Sequence, residues 1–180
     1  MYVLDISLSM ETRIEPAVRQ LKKALAGLQK DESFGIVVFA GEYYLFRSQL
    51  KAVTRSNIEA ANEFLDKIEL KEGTNLEHVL KRVFRVSGIA EVIVITDGIP
   101  SLGETNFDKL AGKVKKMNKA NARIDTIGLA GKVPKGNETR EEIFGAGRLL
   151  KDIAQQNGGI YLEETIGEIN APAPEAPPKN

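Results

Sequence analysis

Near its start the chain reads YVLDISLSM, which places a carboxylate at Asp5 and hydroxyls at Ser7 and Ser9, two residues apart each time. Alternate side chains at a strand–turn junction come round one point, so the three present hard oxygen donors together. Such donors suit magnesium, manganese or calcium. Two other stretches carry compatible chemistry: Gly73-Thr74-Asn75, in a loop before a helical pattern, and Thr96-Asp97-Gly98, directly after an apolar run. Each segment also has a plainer role. Asp and Ser are favoured at turns and helix N-caps, Thr74 with Glu77 fits a capping box, and Asp97 before Gly98 fits turn chemistry. Taken singly they leave ligand and cap both open.

Other chemistries are thinly supplied. The chain has no cysteine and one histidine, His78. That removes disulfides, thiolate zinc sites and cysteine nucleophiles, leaves the compartment open, and makes a Ser-His-Asp triad hard to assemble. Asp5 at a strand end resembles the nucleophile of phosphoaspartyl enzymes of the haloacid dehalogenase type, but Ser7 stands where those carry a second Asp as general acid. A nucleophile without its proton shuttle is a poor enzyme. No Gly-rich loop ends in Lys-Ser or Lys-Thr, and Gly145-Ala146-Gly147-Arg148 lacks a preceding strand and a third glycine, so it reads as a helix-start loop. Twenty-five Lys and Arg balance 25 Asp and Glu, giving no bulk field for nucleic acid or acidic membrane. The run Lys113, Lys115, Lys116, Lys119 has no interleaved aromatic and reads as a solvated helix face. No apolar stretch approaches the roughly 20 residues of a membrane span.

The elements that must position these residues follow from hydropathy. At 180 residues and 42% apolar, the chain can build one domain with a sizeable core. Apolar runs at 2–4, 34–39, 43–46, 92–95, 124–129 and 160–162 alternate with amphipathic segments in the order β-α-β-β-α-α-β-α-β-α-β. That order predicts an α/β fold: a doubly wound, mostly parallel six-stranded sheet with helices on both faces. The three residues 40–42 are too few for a crossover, so 43–46 is an antiparallel edge strand. Helical stripes run through Ile14, Val18, Leu21, Leu25 and Leu28, through Ile58, Ala61, Leu65 and Ile68, and through Phe107, Leu110, Val114 and Met117. Ser56 with Glu59 predicts the capping box of the second helix, and Gly158-Gly159 a left-handed stop for the last. In this arrangement Asp5 and Asp97 both fall at carboxyl ends of parallel strands, where open α/β sheets place ligands.

DISLSM, GTN and ITDG, at this spacing and on this strand pattern, resemble the von Willebrand factor A domain with its metal-ion-dependent adhesion site. The resemblance covers residues 1 to about 165 and departs from the family at Leu8, where glycine is usual. It implies a Rossmann-like fold and a metal set of Asp5, Ser7, Ser9, Thr74 and Asp97. The three hydroxyls would bind Mg2+ or Mn2+, with Ca2+ a further hard cation, and the two carboxylates would act largely through water. A carboxylate from a protein partner would complete the octahedron. Two formal negative charges facing a divalent cation leave it electrophilic enough for that partner group. The implied function is a non-enzymatic, cation-dependent adhesion or interaction module. The alternative is an intracellular scaffold in a chelatase-like or AAA-ATPase assembly.

Residues 1–166 are expected to form the domain, and the Pro/Ala-rich 167–180, with NAPAPEAPPKN, a flexible tail or linker within a longer multidomain chain. The first strand, residues 2–4, is short beside the usual length of about 5–6 residues. The expectation is therefore that the natural chain continues upstream and that Met1 is an added initiator.

Overall fold

A computed structural model describes residues 1–130 and 140–165; the side chains of 130, 140–144 and 165 lie outside the description, as does the expected linker at 167–180. The apolar runs form strands β1 (Tyr2–Asp5), β3 (Ile36–Phe39), β4 (Tyr43–Leu45), β6 (Glu91–Thr96), β7 (Arg123–Ala130) and β8 (Tyr161–Thr165). They make one six-stranded sheet in the order β4-β3-β1-β6-β7-β8. All neighbours pair parallel except β3 with β4, which are antiparallel. The chain leaves β1 towards β3 and later crosses to β6 on the other side, so the carboxyl ends of β1 and β6 border the crevice where the strand order reverses.

Helices α1 (Ile14–Ala26) and α2 (Arg55–Asp66) cover one face and α3 (Leu76–Val83), α4 (Phe107–Met117) and α5 (Arg140–Gln156) the other. The alternation of β1 shows this directly. Leu4 packs with Leu21, Leu25, Ala61 and Leu65, whereas Val3 packs with Val79, Leu80, Val114 and Ile153. Both are fully buried, as a strand covered on two sides requires.

Four local expectations are corrected. The run 34–39 is broken: Ser33–Phe34 is a separate strand, β2, paired antiparallel with β5 (Lys51–Ala52). The break falls at Gly35, where the Met1 side chain packs 2.8 Å from the place a Cβ would occupy. Helix α2 is capped by Thr54, whose hydroxyl accepts from Asn57 N at 3.2 Å, and not by Ser56; Glu59 is taken by Arg55 at 2.7 Å. Helix α3 is capped by Asn75, which accepts from His78 N at 3.1 Å, and Glu77 accepts from Glu104 N instead of closing a box on Thr74. The segment Gly145-Ala146-Gly147-Arg148 lies within α5 and not in a loop before it. A Cβ on Gly145 would come 2.4 Å from the Phe107 ring, so the small residues let α5 approach α4.

Candidate metal centre

At the end of β1 the Asp5 carboxylate is fully buried. One oxygen accepts from Ser7 N at 2.8 Å, and the other from the Thr96 hydroxyl. The partnership with Thr96 follows from register, since Leu4 lies beside Ile95 and the next residues are Asp5 and Thr96. Thr96 also accepts from Gly98 N at 3.0 Å, and so ties the Asp97 turn to Asp5. Ser7 is extended, and the chain then folds into a single 3-10 turn, Leu8–Met10, anchored by fully buried Met10. This turn brings the Ser7 and Ser9 hydroxyls within 2.9 Å of each other.

The loop carrying Thr74 is fastened on several sides. Lys71 N donates to Ile6 O at 2.9 Å, Asn75 N to Ala40 O at 2.8 Å and Gly41 N to Glu72 O at 3.0 Å. Thr74, itself buried, donates its N–H to the Ser101 hydroxyl at 2.8 Å, and its carbonyl accepts from Ser101 N and Leu102 N. Gly73 takes a φ of 80° in this loop, and the Leu102 side chain fills the place of its missing Cβ. Relieved of capping by Asn75, Thr74 stands at the same end of the sheet as Asp5 and Asp97.

Asp97 is nearly buried and paired with Arg13, whose Nη1 lies 3.2 Å from Oδ2 and also donates to the Ser9 carbonyl at 2.7 Å. Its Oδ1 is buried without a partner. Burial first, and the negative charge of Asp97 second, push the Asp5 carboxyl up to about 7 despite the hydrogen bonds from Thr96 and Ser7 that favour its ionised form. A carboxyl whose ionisation is opposed by burial and by a neighbouring carboxylate, with an unpartnered oxygen on that neighbour and hydroxyls adjacent, forms an environment that a cation would relieve. Among the described residues no group of three or more His, Cys, Asp or Glu is placed to hold a metal, so a cation here depends on the hydroxyls. The donor set fits a hard divalent ion.

Three residues of this arrangement escape sequence reasoning: Arg13, Thr96 and Ser101. Arg13 had a signal, because it stands in phase with the buried stripe Ala17, Leu21 and Leu25. Around the site Leu8 and Leu102 are large apolar side chains left 55% and 45% exposed. Leu8 lies between two candidate ligands, and Leu102 is hydrogen-bonded to the backbone of a third.

Comparison with known proteins agrees with this architecture. The chain is 25% identical over 142 residues to inter-alpha-trypsin inhibitor heavy chain H2 of Mus musculus, covering 72% of this chain and 15% of that protein. It is 26% identical over 184 residues to heavy chain H4 of Sus scrofa, covering 95% of this chain and 20% of that one. The chain thus spans a fifth or less of the length of these relatives. A von Willebrand factor type A structure from Catenulispora acidiphila superposes with a TM-score of 0.76 at 19% identity, over 93% of this chain and 39% of that one. The family model described as von Willebrand factor type A domain matches residues 1–162, and the chain belongs to that family, whose members generally serve as protein-interaction and adhesion modules.

Proposed function

We propose that the domain holds a divalent cation, Mg2+ or Mn2+ with Ca2+ a further candidate, at Asp5, Ser7, Ser9, Thr74 and Asp97, and through it the carboxylate of a protein partner. The observation that carries this reading is the pair of carboxylates, Asp5 buried and Asp97 nearly so, beside the paired Ser7 and Ser9 hydroxyls, one Asp97 oxygen being without any partner. When bound, the cation supplies an electrophilic centre with a coordination position for an outside oxygen. The protein's own part is to hold donors still: Thr96 fixes Asp5 and Ser101 fixes Thr74. Apart from Asp5, which in this reading is taken up by the cation, the groups bonded to the site residues are hydroxyls, backbone groups and a guanidinium, none of them a base near neutral pH. Such surroundings suit holding rather than catalysis. Exposed Leu8 and Leu102 add apolar contact for whatever brings the carboxylate.

Calorimetric titration of Mg2+ and Mn2+ into wild type and Ser7→Ala/Ser9→Ala tests the reading. Saturable binding to wild type, lost or weakened at least tenfold in the double variant, is expected. Equal affinity in both would refute the assignment.

A further inference from the structure

Arg13 has no part in the ligand set, yet it is the most unusual group near it. Its guanidinium is buried at the foot of α1, where a charge is expensive unless well paired. A purely structural Arg–Asp pair is best served by the two-pronged geometry in which parallel N–H groups meet both carboxylate oxygens. Arg13 does otherwise. Only Nη1 reaches Asp97, and only Oδ2; the same nitrogen grips the Ser9 carbonyl, while Arg13 Nε and Asp97 Oδ1 are buried and unpartnered. The pair therefore holds one oxygen of Asp97 and leaves the other for a different group.

We infer that Arg13 is a positioning residue and a fixed counter-charge of the cation site, which orients Asp97 and the Ser9 turn, weakens binding of a lone divalent cation, and favours binding of cation and carboxylate together. The inference rests on the reading of the site given above. A guanidinium keeps its charge at any working pH. With Asp5 and Asp97 ionised, Arg13 leaves the empty site with one negative charge, and a divalent ion turns that into one positive charge. Without Arg13 the loaded site would be neutral. The surplus positive charge attracts an incoming carboxylate, which neutralises it, so loading of the ion and capture of the acid become coupled.

The test is calorimetric titration of Mn2+ into the full chain as wild type, Arg13→Gln and Arg13→Lys, in excess sodium acetate and in sodium chloride of equal ionic strength. In chloride, Arg13→Gln is expected to bind Mn2+ on the order of tenfold more tightly, because one like charge at close range has gone. Acetate should tighten Mn2+ binding in wild type and in Arg13→Lys, and do so much less in Arg13→Gln. A merely structural role would not produce that split between the two variants. Unchanged or weaker Mn2+ binding by folded Arg13→Gln overturns the inference while leaving the cation site intact. Absence of Mn2+ binding by wild type overturns both. Should Arg13→Gln not fold, wild type labelled with 15N-arginine decides: a dispersed Arg13 Nε–H resonance that shifts but persists on adding Mg2+ supports a fixed counter-charge. Its merging with the solvent-exposed arginines shows release and overturns the inference.

Discussion

Asp5 illustrates how one side chain can be costly to the fold and still belong to the proposed site. Its carboxyl is held above its ordinary value of 3.8, at about 7, by burial and by Asp97. The folded chain therefore binds this proton more tightly than the unfolded chain. Its stabilising contribution is complete below about pH 4, falls as pH rises to about 7, and is gone above that. Asp5→Asn removes the charge and keeps the bond from Ser7 N on its amide oxygen, while the bond with Thr96, whose hydroxyl donates to Asp5, is reversed, the NH2 donating to the hydroxyl oxygen. The variant is expected to be more stable than wild type at pH 8 in chelator by on the order of 1–3 kcal/mol, with little difference at pH 4, and to lose Mg2+ binding. Urea unfolding at the two pH values checks the first part. Equal pH dependence in the two proteins would show that Asp5 ionises freely.

Among the elements, the link from α5 to β8 separates two glycines that look alike in sequence. Gly158 has a φ of 74° but open space around its Cβ position. Gly159 has ordinary φ, yet a Cβ there would lie 1.9 Å from the Ile124 carbonyl oxygen. A left-handed alanine costs roughly 1–2 kcal/mol; a backbone collision that forces β7 and β8 apart costs more, about 3 kcal/mol or above. Gly159→Ala is therefore expected to be the worse of the two by chemical denaturation, and the reverse order would refute this packing. The pair was legible only as a helix stop. The same boundary runs through the whole fold: the inner strands were readable because burial on two faces leaves continuous apolar runs, the helical stripes because burial on one face leaves a period of about 3.6 residues, and the half-exposed edge strands β4 and β8 as short apolar runs. What was not readable depends on tertiary neighbours. The break at Gly35 needs the Met1 side chain, the cap at Asn75 depends on how the Thr74 loop turns, and Thr96 matters only because register sets it beside Asp5. The five proposed ligands could be picked out through the pattern DISLS, GTN and TDG, whereas Arg13 showed only as a charged residue in phase with a buried stripe, and its pairing with Asp97, 84 residues away, left no mark in the sequence.

For the whole molecule, a cation bound only by the folded state adds its binding energy to stability. At a hundredfold excess over Kd this is about 2.7 kcal/mol, which corresponds to roughly 5–10 °C in Tm for a chain of this size. Calorimetric melting in Mg2+ against chelator should show that rise in wild type and none in Asp97→Ala; equal rises would place the ion elsewhere. The sheet order carries a consequence for time as well as energy. β1 is an inner strand, flanked by β3 and by β6, and Thr96 meets Asp5 across 91 residues of chain. Parallel pairings of that span close late, because the loop entropy is spent before any contact repays it. During synthesis, a nascent chain that has not yet produced β6 leaves β1 unpaired along one side and Asp5 without its hydroxyl partner. The carboxylate pair therefore comes into being only when the sheet does, and no early folding intermediate lacking β6 can carry the site.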